Sequence, residues 1–160
     1  MEALPESRMI FLIRDPRDVV ASSLDAFETG SWGSTALGSD EVPNFNAEEW
    51  AHLFVRNVGK VRQAYQAHVG RKAVVKYEDL RADALSTLVR LYSALEIPVE
   101  EEALARAVEK YSWKNIPAHR KGRRRFFRKG TPGGWKEDLT REQVEMVERI
   151  TAPIFKEFYS

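Results

Sequence analysis

Arg14 follows directly on the apolar run Met9–Ile13 and precedes Asp15-Pro16, with Ser22 and Ser23 a short distance behind. Read as a strand, a turn and a helix start, this stretch gathers a guanidinium, free backbone N–H groups, the positive end of a helix dipole and a hydroxyl. Those groups together suit a phosphate. A second concentration of cationic chemistry is the run His119–Gly130, which ends in Arg128-Lys129-Gly130. Taken alone, Arg-Asp-Pro also fits a surface turn with a local ion pair.

The elements that must position these groups are legible from periodicity. Met9–Ile13 is unbroken apolar sequence, as in a strand covered on both faces of a parallel sheet. Pro16 suits the first turn of a helix, and Val20, Leu24 and Phe27 recur behind it at helical spacing. Glu28–Asn46 is rich in Gly, Ser and Thr and reads as a long loop, with Trp32 and Phe45 as apolar surface for an acceptor. Its fragment Gly30–Thr35 resembles a phosphate loop but lacks the lysine and the preceding strand. Asn46 with Glu49 predicts a capping pair for a helix ending near Gly70, with Trp50, Leu53, Phe54, Asn57, Val61 and Tyr65 on one face.

Lys72–Tyr77 reads as a second strand. Asp83 caps a helix that turns Leu85, Leu88, Leu91, Tyr92 and Leu95 inward, and Ile97-Pro98 ends it. A further helix over Glu100–Lys110 is expected to bury Leu104, Ala107, Val108 and Tyr111. Periodicity fails from Ser112 to Leu139. Thr140 with Gln143 then forms a capping box for a last helix, where Val144, Val147, Thr151, Ile154 and Phe158 share a face and Pro153 predicts a kink. His52 and His68 stand apart from any metal-ligand spacing and are expected to be exposed.

The 160 residues suffice for one domain, and 43% hydrophobic with 31% charged residues is ordinary globular composition. Without cysteine there is no disulfide or thiol chemistry. No apolar run has the length of a membrane span, and the first residues lack the apolar segment of a signal peptide, so a cytoplasmic protein is expected. The net charge of +1 conceals an asymmetry. Lys110–Lys136 contains ten Lys or Arg and no acid, leaving 15 cations against 24 acids elsewhere. A basic segment on an acidic body predicts an anionic ligand near residues 110–136.

Three stretches, taken together and in order, carry a resemblance. FLIRDPRDVVASSLDAF, VVKYEDL followed by a leucine-patterned helix, and RKGTPGGW before a capped helix resemble the cytosolic-type sulfotransferases, which use 3′-phosphoadenosine-5′-phosphosulfate (PAPS) as donor. The resemblance implies an α/β fold, a P-loop nucleotide-kinase-like parallel sheet flanked by helices, here helix-rich and incomplete, as a single partial domain over 1–160. It implies that Arg14 and Ser22 grip the donor's 3′-phosphate, with Arg128, Lys129 and Gly130 closing over it. Tyr77 is then placed near the adenine and Trp113 stacked on it. The desulfated product is 3′-phosphoadenosine-5′-phosphate (PAP), and no metal is implied.

The family's amino-terminal phosphate loop and its histidine base precede the strand at Met9, and nothing before Met9 matches them. The catalytic residue is therefore unassigned, and His119, inside the cationic run, is not read as the base. The chain is expected to be a carboxy-terminal portion that is inactive or nearly so alone, with an apolar sheet surface prone to self-association. Of the family's dimer motif, Lys136, Thr140 and Glu145 match while Arg141 replaces a valine, which weakens a dimer prediction. The acceptor is unassigned. A nucleotide kinase-like transferase and a nucleic-acid binder using residues 119–129, with Phe126 and Phe127 interleaved, are the alternatives.

Overall fold

The computed structural model describes residues 6–37 and 45–159. By internal contacts the chain divides into two compact units, Met1–Arg14 with Asn57–Asn115, and Asp15–Arg56 with Ile116–Ser160. The long helix α3 (Ala47–Ala67) contributes to both.

In the first unit, β1 (Met9–Ile13) pairs in parallel with β2 (Lys72–Lys76), Met9 opposite Lys72 and Ile13 opposite Lys76. The strands alternate as the pleat requires. Phe11, Ile13 and Val75 are buried, whereas Ile10 is 46% and Leu12 54% exposed. The expectation of a strand covered on both faces is thus corrected: one face packs and the other is apolar and open. Tyr77 is not the end of the strand but the first residue of α4 (Tyr77–Ala82). Asp83 caps α5 (Ala84–Ala94) by accepting from the Ser86 N–H at 3.0 Å, and Leu91 and Leu95 are buried behind it. On α6 (Glu101–Lys110) Leu104 is buried, but Tyr111 just beyond it is 75% exposed, contrary to its expected inward position.

His68 is also corrected. It is buried, with its Nε2 3.1 Å from the Ser7 carbonyl oxygen, whereas His52 is exposed as expected. On α3 the expected face departs at two positions: Asn57 and Val61 are exposed and Val58 is buried instead, while Tyr65 is half-buried against Phe11.

In the second unit, α1 (Pro16–Ala26) and α8 (Arg141–Phe158) pack against each other, and α7 (Trp135–Asp138) packs against α1. Val20, Ala21, Trp50, Ala51, Leu139 and Val147 form its core. Phe27 stacks on Trp50 with centroids 4.9 Å apart, and Phe45 meets the same indole edge-on at 5.3 Å. Phe45 is therefore core rather than acceptor surface. The supposed loop after Glu28 contains a short helix, α2 (Trp32–Leu37); positions 38–44 of that stretch lie outside the described residues. Both capping pairs form as read. Asn46 and Glu49 exchange hydrogen bonds at 3.0 and 2.8 Å, and Thr140 and Gln143 do so at 3.3 and 2.9 Å. Helix α8 continues through Pro153.

Candidate functional site

The residues singled out in the sequence fall into both units. In the first, the Arg14 guanidinium lies over the Tyr77 ring, 4.5 Å from its centroid. Both side chains are half-buried at the carboxyl ends of the two parallel strands. Trp113 opens a short 3-10 turn, Trp113–Asn115, and its ring faces the Arg81 guanidinium at 5.9 Å. It lines a mostly apolar cleft of about 670 Å³ with Leu80, Leu88, Tyr92 and Tyr111. Aromatic walls of this kind suit a flat heterocycle.

In the second unit, Ser22 sits half-buried on α1, next to Ala21. Ala21 lines a cleft of about 640 Å³ together with Arg128 and Lys129. Gly130 and Gly133 hold φ values of +64° and +82°, a left-handed backbone that glycine adopts without a Cβ clash. That geometry turns the chain so that the N–H groups of Gly133 and Trp135 both point at Asp18, which accepts them at 2.8 and 3.0 Å. Asp18, fully buried in the first turn of α1, thus fixes the glycine-rich loop behind Arg128 and Lys129. Sequence reasoning assigned it no role. Its only signal was its place in Arg-x-Pro-x-Asp-x-x-x-Ser; its partners lie 115 and 117 positions away.

Arg17, also without an assigned role, ties the start of α1 to α8. Its guanidinium meets Asp15 at 2.6 Å and Glu148 at 2.7 Å, and lies over the rings of Trp135 at 4.1 Å and Phe155 at 4.8 Å. Burial alone would lower its pKa, but the hydrogen bonds and charges of Asp15 and Glu148 prevail and hold it above its ordinary value.

The cationic segment is largely matched by the chain's own acids. Arg123 and Arg124 pair with Glu28 at 3.1 and 2.9 Å, and the Arg124 N–H donates to Asp25. Arg128 pairs closely with Asp138, and the Lys129 ammonium reaches Glu137 at 2.8 Å and Asp138 at 2.9 Å. The hydrogen bonds that the ammonium donates to Glu137 and Asp138 raise the Lys129 pKa. At Asp138, burial acts to raise the pKa, but hydrogen bonds from Lys129 and Arg128 outweigh it and hold the carboxyl below its ordinary 3.8. The Arg124 hydrogen bond likewise holds Glu28 below 4.5.

A carboxyl lowered in the folded state stabilises it fully above the unfolded value, and that contribution is lost as pH falls through the folded value. Urea denaturation at stepped pH is therefore expected to show this contribution being lost as pH falls below about 4.5. Asp138→Asn is expected to flatten part of that fall.

Among the described residues there is no group of three or more His, Cys, Asp or Glu that could hold a metal, and no helix long and apolar enough to cross a membrane. The family model for the sulfotransferase domain matches residues 3–159. An amine sulfotransferase from Oryctolagus cuniculus is 26% identical over 171 residues, covering 96% of this chain and 56% of the relative. A retinol dehydratase, solved with androsterone and the inactive cofactor PAP, superposes with a TM-score of 0.64 at 21% identity, over 96% of this chain and 48% of that one. A mouse sulfotransferase complexed with PAP gives 0.63 at 16% identity, over 93% and 58%. The chain thus spans about half the length of the relatives it matches, and over that span the fold is theirs. On the match across 3–159, this chain belongs to the sulfotransferase family.

Proposed function

We propose that the chain binds the 3′-phosphoadenosine end of PAPS, within one partial sulfotransferase-like domain over 1–160. In the complete form the activity is transfer of a sulfuryl group from PAPS to a hydroxyl or amine. The observation that carries this is the loop Arg128-Lys129-Gly130, braced by Asp18 so that a guanidinium and an ammonium line one cleft. A 3′-phosphate is close to a dianion at neutral pH and is well matched by such a pair. Arg14 and Ser22 belong to the same grip by resemblance, and Tyr77 and Trp113 to the adenine. When bound, PAPS supplies the transferable group, and this chain's residues hold and orient its nucleotide end.

Relatives solved with PAP support the ligand, and the androsterone of one of them supports a small-molecule acceptor. A cytoplasmic location and self-association through the open face at Ile10 and Leu12 belong to the same proposal. The test is calorimetric titration of the purified chain with PAP. Arg14→Ala and Arg128→Ala are each expected to weaken binding by more than about tenfold, the worth of one charge-assisted contact. Displacement of PAP by ATP at equal affinity would favour a kinase-like protein. Salt-sensitive capture of single-stranded oligonucleotides that PAP does not compete would favour a nucleic-acid binder.

A further inference from the structure

The cleft that holds the phosphate-gripping cations is not electropositive on balance. Its lining carries Arg123, Arg128 and Lys129 against four carboxylates, Asp25, Glu28, Glu137 and Asp138. Two of these acids stand within ten positions of the cations they meet, and both belong to the four-residue helix α7. Asp138 contacts both Arg128 and Lys129. The Arg128 side chain is only 11% exposed and that of Asp138 24%, so this pair is weakly screened by solvent. Glu137 is 79% exposed, and its pair with Lys129 contributes little.

We propose that Asp138, assisted weakly by Glu137, is an internal anion seated on the cations of the Arg128–Gly130 loop, so that ligand binding exchanges a carboxylate for a phosphate and Asp138 sets the affinity. The inference rests on the 3′-phosphate reading of the cleft. A carboxylate and a phosphate both accept forked hydrogen bonds from a guanidinium, so they compete for the same donors. A phosphate near −2 satisfies Arg128 and Lys129 together, where a carboxylate brings a single charge. The exchange is local. Asp138 ends a single helical turn, and the brace from Asp18 to Gly133 and Trp135 that holds the loop does not involve it. The device favours dianionic ligands over singly charged ones, because only the former replace everything the carboxylates supplied.

The experiment compares wild type, Glu137→Gln, Asp138→Asn and Asp138→Ser in calorimetric titrations with PAP and with adenosine 5′-phosphate. Thermal melts verify that each variant is folded. Asp138→Asn and Asp138→Ser are expected to bind PAP about tenfold more tightly than wild type, and Glu137→Gln within about twofold of it. A second readout does not depend on affinity. Modification of the Lys129 amine, followed by mass spectrometry, is expected to be faster in both Asp138 variants and to be suppressed by PAP. Wild-type preference for PAP over adenosine 5′-phosphate, with affinity unchanged or weakened in both folded Asp138 variants, would overturn the exchange and leave the phosphate reading standing. That result would make Asp138 a positioning residue. No preference for PAP in wild type or variants would overturn both.

Discussion

Asp18→Ala is expected to destabilise the chain by about 3 kcal/mol, because it removes a charged acceptor from two backbone N–H groups, each such bond being worth roughly 1.5–3 kcal/mol. Asp18 is completely buried, and its loss takes the carboxylate acceptor from the amides of Gly133 and Trp135. The first turn of α1 adds to the effect, since a carboxylate there lies at the positive end of the helix dipole. Asp18→Asn keeps the size but loses the charge, and its NH₂ group opposes a donor; a loss of about 2 kcal/mol is expected. Urea denaturation measures both. The functional consequence is separable. In whatever fraction folds, PAP affinity is expected to fall by more than about tenfold, as the loop carrying Arg128 and Lys129 loses its register. Unchanged stability in Asp18→Ala would show that the brace is not a structural determinant.

Arg17→Ala is the second large effect. The guanidinium serves four partners at once: two carboxylates, one on each side of the α1–α8 contact, and two aromatic faces. Truncation leaves Asp15, itself only 12% exposed in its side chain, without its nearest cation. A cost of about 2–3 kcal/mol follows from one partly buried ion pair and the lost stacking. Arg17→Lys keeps the charge and discards the planar fork, and is expected to recover less than half of that. Full recovery by lysine would mean that charge alone, and not the stacked fork between Trp135 and Phe155, holds the two helices.

What could be read from the sequence was local. Asn46 with Glu49 and Thr140 with Gln143 cap their helices because donor and acceptor lie three positions apart, a spacing visible in the chain itself. Met9–Ile13 and Lys72–Lys76 were legible as strands from composition, but not which side of them lies open. His68 and Asp18 escaped for a common reason. Their partners, Ser7 at a distance of 61 positions and Gly133 at 115, are brought near only by the fold. The cationic segment shows the converse. Ten positive charges without an acid between them point to an anion, yet Arg123, Arg124, Arg128 and Lys129 find anions within the chain, on α1, at its end and on α7. Charge counts along the sequence do not reveal that pairing. Val61 and Tyr111 illustrate a third limit, since periodicity identifies a helical stripe without identifying what covers it.

The central claim is that the Arg128–Gly130 loop grips a 3′-phosphate. Its most direct measurement is the calorimetric affinity of the wild-type chain for PAP set against adenosine 5′-phosphate, which differs only in lacking that group. The account predicts that PAP binds about a hundredfold more tightly, as two charge-assisted contacts require, and that Arg128→Ala removes most of the difference. Equal affinities in a folded protein, or a difference that survives Arg128→Ala intact, would contradict it.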